Sequence, residues 1–304
     1  MKAVIPAAGM GTRFLPATKN SPKEMLPLVD KPTIQHVVEE AVASGITDIL
    51  IITGRGKRAV EDHFDRNFEL EHPLERKGDA ARLEEVRRIA EMADIHYVRQ
   101  REPKGLGHAI LCAEKHMGGE PFAVLLGDDV VVSRTPCTRQ LMDCHARTGA
   151  SVIAVERMPM DQIESYGVVK PGRAVDDHLR EVEALVEKPR RAEAPSDLAI
   201  LGRYVLTPAV FDELRRTPPG RNGEIQLTDA LQRLRAREPI YALEFEGRRH
   251  DLGDKLGWLK SNVEVALGMP EFREPLLEFL RKAVADRRAL TPASPAPAPP
   301  PASP

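Results

Sequence analysis

Little in this chain ties it to an oxidising compartment, a membrane or nucleic acid. Its three cysteines, Cys112, Cys137 and Cys144, form no C-x-x-C pair, and their odd number leaves no secreted disulfide framework, so a reduced cytoplasm is the expected setting. No run of about 18 apolar residues occurs. Met1-Lys2 opens a strand of a few apolar residues rather than a signal-peptide layout, and no export or membrane partner is expected. Acidic and basic residues nearly cancel, at a formal charge of -2. A nucleic-acid binder needs a concentrated basic surface that displaces counterions, so positive residues should here be focused locally. The nine histidines show no paired metal spacing and no partners for a nucleophile, and no G-x-S-x-G elbow exists, which disfavours covalent hydrolase chemistry.

The most informative stretch is the first. Lys2-Ala3-Val4-Ile5-Pro6 runs into Ala7-Ala8-Gly9-Met10-Gly11-Thr12-Arg13 and then Pro22-Lys23-Glu24-Met25-Leu26-Pro27. A short apolar strand precedes two glycines that let backbone approach an anion, and the cations Arg13, Lys19 and Lys23 follow, which suits a triphosphate. A dinucleotide fingerprint would want a third glycine where Phe14 stands, and a Walker loop would want Lys then Ser or Thr where Thr12-Arg13 stand. An ordinary glycine turn is the plain alternative, and the clustered cations weigh against it.

With 304 residues, 42% of them apolar, the chain can bury the core of one large α/β domain or two modest ones. Thr33 to Ser44 has helical apolar spacing, and Asp48-Thr53 reads as a buried strand. Helices at Arg58–Phe68, Asp79–Met92 and Gly107–His116, with strands at Ile95–Val98 and Pro121–Leu126, continue an alternation that implies a parallel sheet. Strands near Ser151–Glu156, Val168–Lys170, Arg180–Glu187 and Leu198–Leu206 are separated by turns, so the second half should be mixed, an insertion covering the nucleotide half. Leu256–Leu267 and Leu276–Ala289 read as closing helices with apolar stripes. Residues 291–304, almost wholly Pro, Ala and Ser, should be extended and mobile.

Asp128 and Asp129 follow the strongest buried strand at its carboxyl edge, where open α/β sheets bind ligands. Such carboxylates suit Mg2+, which combines one or two of them with phosphate oxygens and water; solvated loop acids are the bland alternative. His250-Asp251-Leu252-Gly253-Asp254 offers a second acid, with Asp254 read as a helix N-cap. The Gln100 amide, with Gly105 and Gly107 nearby, can match a pyrimidine edge. Glu187 and Lys188 pair a carboxylate for hydroxyls with an ammonium for phosphate, but neighbours on a strand face opposite ways, so they share a site only if the strand twists or ends there.

These segments together resemble the sugar-phosphate nucleotidylyltransferases over nearly the whole chain, Met1 to about Gly268. The resemblance implies an α/β, Rossmann-like three-layer nucleotidyltransferase fold with a mixed, mainly parallel central sheet and a helical C-terminal region. It implies one domain over 1-268, with a nucleotide half to about 150 and a sugar half over about 151-255. A helix over 269-290 could make an oligomer contact, and 291-304 is the tail. The implied reaction is uridylyl transfer from UTP to glucose 1-phosphate with Mg2+ and release of pyrophosphate, by a homodimer or homotetramer. Catalysis would rest on Arg13, Lys23, Asp128 and Lys188; nucleotide binding on Ala8, Gly9, Gly11, Thr12, Glu24, Gln100 and Gly105; sugar-phosphate binding on Asp129, Gly167, Glu187 and Lys188; metal binding on Asp128 and Asp251. A thymidylyltransferase, a glycosyltransferase using a nucleotide sugar, and a sensor that lost turnover stay open, because a methyl group on the base is worth only about 1–3 kcal/mol and an acidic pair serves each.

Overall fold

A computed structural model describes residues 1–286, apart from the Arg221 side chain. The expected tail at 291-304 and the end of the 269-290 helix lie outside the described residues. In chain order the strands are β1 Lys2–Pro6, β2 Pro27–Leu28, β3 Lys31–Pro32, β4 Asp48–Thr53, β5 Asp94–Arg99, β6 Phe122–Leu125 and β7 Asp129–Val132. They continue as β8 Ser151–Arg157, β9 Gly167–Ala174, β10 Leu179–Glu187, β11 Leu198–Leu206, β12 Ile240–Glu244 and β13 Arg248–Asp251.

Nine strands form one sheet in the order β5-β4-β1-β6-β11-β8-β12-β10-β9. The first four are parallel neighbours, β11 runs against both β6 and β8, β12 is parallel to β8, and β10 runs against β12 and β9. Only β10 and β11 therefore oppose the common direction, which gives the mixed, mainly parallel sheet.

Alternation along the strands builds three layers. Val4, Leu50, Ile52 and Val124 face one side and pack with Ala109, Ile110 and Leu214 from the helices there. Ala3, Ile5, Ile49, Ile51, Ala123 and Leu125 face the other and meet Ile34, Val37, Val38 and Val60. Strands buried on both faces must be apolar throughout, which is why β1, β4 and β6 read as unbroken runs. The second half is continuous with the first, because β11 inserts beside β6 with Tyr204 opposite Val124. It extends the central sheet rather than lying over it as a separate insertion.

Several boundaries differ from the sequence reading. The helix expected over Arg58–Phe68 stops at Phe64, and another, Phe68–Lys77, follows, capped by the Asn67 side chain and ended by left-handed Gly78. Its charged sequence and internal Pro73 hid it. The helix expected over Gly107–His116 is two short ones, Leu106–Leu111 and Glu114–Met117. The last helix runs Pro270–Ala285; proline fits a first helical position, whose N–H has no intrahelical partner. Asp254 caps helix Lys255–Gly268, its Oδ1 accepting from Leu256 and Gly257 N–H.

Candidate functional site

The first loop leaves β1 at the carboxyl edge of the sheet. Gly11 sits there at φ 66°, and a Cβ would come 3.1 Å from Lys23 Cβ, so glycine is required both by backbone conformation and by the close return of the chain. That return aims Lys23 Nζ at Asp128 Oδ2, 2.5 Å away. Burial opposes the charge on each partner. The mutual attraction outweighs it, with Glu24 and Asp129 adding to the pull on Lys23, so the ammonium titrates above its ordinary value and the Asp128 carboxyl below its own. Glu24, almost fully buried, takes a hydrogen bond of 2.6 Å from Lys57. Its Oε1 has no hydrogen-bond partner among the described residues, and burial lifts its carboxyl above the usual range despite Lys57.

A two-stranded ribbon places the acids. Asp129 opens β7 and lies opposite Asp251, the last residue of β13. Arg249, two residues before Asp251 and therefore on the same face of an extended strand, donates to Asp129 Oδ1 at 2.7 Å and to Asp251 Oδ2 at 3.0 Å. Its guanidinium is buried and stacks 5.2 Å from the Tyr166 ring centroid. Tyr166 Oη completes the knot with a 2.8 Å hydrogen bond to Asp251 Oδ2, and Gly253 N–H donates to Oδ1. Leu252 N–H donates to the Asp128 carbonyl, tying both acid segments together. Burial raises the Asp129 carboxyl, against the attraction of Arg249 and with repulsion from Asp128 and Asp251. Beneath them Arg203, 1% exposed, pairs with Glu40 and donates to the carbonyls of Leu126, Gly202 and Asp129.

On the other wall, Lys188 follows the end of β10 with φ 45°, in the left-handed region. This turn overrides strand alternation, and Lys188 Nζ comes to 3.3 Å from Glu187 Oε1. Glu187 Oε2 accepts from Thr228 Oγ1 at 2.7 Å. A Cβ on Gly167 would lie 2.9 Å from Thr228 Oγ1 and 3.2 Å from Glu187 Oε2, so glycine keeps this wall open.

At the end of β5, Gln100 is buried and its Nε2 donates to the Gly105 carbonyl at 3.2 Å and lies 2.9 Å from His108 Nδ1. Its amide therefore pins the following loop. Gly105, at φ 93°, has no room for a side chain, since a Cβ would stand 2.7 Å from Glu224 Cβ.

A cleft of about 840 Å³ brings together Arg13, Asp128, Asp129, Gly167, Glu187, Lys188 and Asp251. Lys23 reaches it through Asp128. Ala8, Gly9, Gly11, Thr12, Glu24, Gln100 and Gly105 do not line it; they lie on loops after β1 and β5, along the same edge of the sheet. Sequence reading missed Arg249, Tyr166 and Lys57 as site-forming residues. The two-residue spacing from Arg249 to Asp251 was the available signal for the first; nothing local marks Lys57, whose partner is distant in sequence.

The family model described as Nucleotidyl transferase matches residues 2–266. The chain belongs to this nucleotidyl transferase family. Among similar members, a UTP--glucose-1-phosphate uridylyltransferase of Bacillus subtilis, YngB, is 55% identical over 93% of this chain and 95% of its own. One from Staphylococcus epidermidis is 55% identical over 92% and 97%. The fold matches a UTP-bound UGPase from Acinetobacter baumannii at TM-score 0.85 and 39% identity, covering 93% of this chain and 99% of that one. It matches a UDP-glucose pyrophosphorylase complexed with UDP-glucose at 0.82 and 41%, covering 88% and 99%. As a nucleotidyl transferase the protein has the expected fold class, and no helix among the described residues is long and apolar enough to cross a membrane.

Proposed function

We propose that the protein is an enzyme that transfers the uridylyl group of UTP to glucose 1-phosphate, giving UDP-glucose and pyrophosphate. The observation that carries this reading is the single cleft in which Arg13, Asp128 and Asp251 face Glu187 and Lys188, in a chain 55% identical over most of its length to enzymes named for that reaction. Two anions must meet in such a reaction, and catalysis depends on positioning and charge neutralisation rather than on a protein nucleophile.

Residues of the chain divide the work. The loop carrying Ala8, Gly9, Gly11, Thr12 and Glu24 receives the nucleoside triphosphate, with Gln100 and Gly105 shaping the wall toward the base. Arg13 and Lys23 steady the pyrophosphate as its charge grows. Gly167, Glu187 and Asp129 surround the hexose, and Lys188 orients its phosphate for in-line attack on the α-phosphorus. The thin wall at Gly167 leaves room for a sugar ring beside Thr228.

The acid pair fits Mg2+. Asp128 and Asp251 supply hard carboxylate oxygens, Asp128 is partly exposed at the cleft, and Arg249 with Gly253 fixes Asp251 from behind. Bound there, Mg2+ would offset repulsion between the two substrates. The helices Lys255–Gly268 and Pro270–Ala285 expose Leu256, Leu259, Phe272 and Phe279, which supports a homodimer or homotetramer built through this end.

The thymidylyl alternative has less support. A putative glucose-1-phosphate thymidylyltransferase from Bacillus anthracis shares the fold at TM-score 0.69 but only 23% identity. A panel of nucleoside triphosphates and hexose 1-phosphates, followed by pyrophosphate release, tests the assignment. UTP with glucose 1-phosphate should give the highest kcat/KM, and a clear preference for dTTP would replace the uridylyl reading.

A further inference from the structure

At the edge of the sheet opposite the cleft, three side chains from separate elements converge. Asp48 opens β4, His96 lies in β5, and His116 stands in helix Glu114–Met117 just before β6. Asp48 Oδ1 is 2.8 Å from His116 Nε2 and 4.0 Å from His96 Nε2. The imidazole centroids are 4.8 Å apart, and the three candidate ligand atoms all lie within 4.8 Å of one another. We propose that Asp48, His96 and His116 form a second metal site, for a borderline divalent ion of the zinc type, separate from the carboxylate site of the cleft.

The donor chemistry selects the ion. Two imidazole nitrogens and one carboxylate oxygen suit Zn2+, Co2+ or Ni2+, whereas Mg2+ favours an all-oxygen shell. Metal bonds of about 2.0–2.2 Å place tetrahedral ligand atoms about 3.4 Å apart, so the observed spacings need shifts of about 1 Å or less from each side chain. His96 and Asp48 are partly exposed, at 53% and 36% of their side-chain surface, which leaves an entry path and room for a water as fourth ligand. Binding needs the His116 Nε2 lone pair, so the metal would take the place of the His116–Asp48 hydrogen bond.

Lys2 bears on the site because its ammonium lies 3.5 Å from Asp48 Oδ2 and donates to the His116 carbonyl at 2.8 Å. It approaches Oδ2, whereas both imidazoles approach Oδ1, and it braces the backbone of one ligand, while its charge lowers affinity for a cation. An occupied site would clamp β4, β5 and the segment leading to β6, all parallel or sequential parts of the first half of the sheet. Its expected effect is on stability, since the site lies a strand length away from the chemistry.

The test is equilibrium dialysis of the intact protein against Co2+ or Zn2+ at saturating Mg2+, with the visible spectrum of Co2+ reporting nitrogen ligation. Wild type should retain one ion and melt at a higher temperature with Zn2+ present. His96→Ala and His116→Ala should each weaken binding by at least about tenfold, a loss that even an outer-shell partner can cause, and remove the shift in Tm. His96 is exposed enough that its variant keeps the fold. Asp128→Asn should retain the ion. Absence of retained Co2+, retention by both histidine variants, or loss in Asp128→Asn would each overturn the proposal.

Discussion

Lys23 Nζ stands 2.5 Å from Asp128 Oδ2, so a cation assigned to phosphate and a carboxylate assigned to metal neutralise each other when neither ligand is bound. Under the proposed function, Lys23 would turn from Asp128 to a phosphate oxygen when substrate binds, leaving the Asp128 carboxylate free to hold the cation. Asp128→Asn should therefore cut kcat by about 10² to 10³, measured as pyrophosphate release at saturating Mg2+. Turnover near wild type would remove Asp128 from the mechanism.

The same pair predicts a pH signature in stability. Asp128 titrates below its ordinary 3.8 in the folded protein, and Lys23 above its ordinary 10.5. The contribution of Asp128 is present above 3.8 and lost as pH falls through its lower folded value; that of Lys23 is present below 10.5 and lost as pH rises through its higher one. Urea unfolding should show a roughly constant gap between wild type and Asp128→Asn from about pH 5 to 9, closing on stronger acidification. A gap that opened as pH fell would contradict the assignment.

Lys188→Ala should raise KM for glucose 1-phosphate and lower kcat while leaving KM for UTP near wild type. Its melting temperature should not fall through loss of core packing, because the side chain is on the cleft wall. Unchanged kinetics toward the sugar phosphate would count against its role.

Arg249 sits buried between Asp129 and Asp251, and removing one partner of a buried ionic cluster leaves uncompensated charge. Arg249→Met should cost about 3–5 kcal/mol in chemical unfolding and also impair turnover by freeing Asp251. A variant as stable as wild type would show that the guanidinium is dispensable there.

Gly105→Ala must place a Cβ where Glu224 Cβ would be 2.7 Å away, at a φ that L side chains rarely adopt. The loop pinned by Gln100 should shift, and KM should rise for UTP more than for glucose 1-phosphate. Equal effects on both substrates would detach this loop from base recognition.

Much of this was legible along the chain wherever local pattern and burial agree. Asp48–Thr53 and Leu198–Leu206 read at their observed bounds, the first because four apolar residues stand between Asp48 and Thr53, the second because its apolar residues are interrupted only by Gly202 and Arg203. Phe68–Lys77 did not, since Pro73 and a charged sequence argue against a helix that Asn67 and Gly78 nonetheless delimit. In the site, Asp128, Glu187 and Lys188 announced themselves by chemistry at strand ends. The positive φ that brings Lys188 beside Glu187, and the meeting of Lys57 with Glu24, depend on tertiary contacts that no spacing records. Likewise His96 and His116 lack metal spacing in the sequence and meet only through the sheet.

The most direct measurement mixes the purified protein with UTP, glucose 1-phosphate and Mg2+ and follows both products. The account predicts UDP-glucose and pyrophosphate in equal amounts, with formation stopped by chelating the metal. Release of UDP, or no product from a folded sample that also fails to bind UTP, would contradict it.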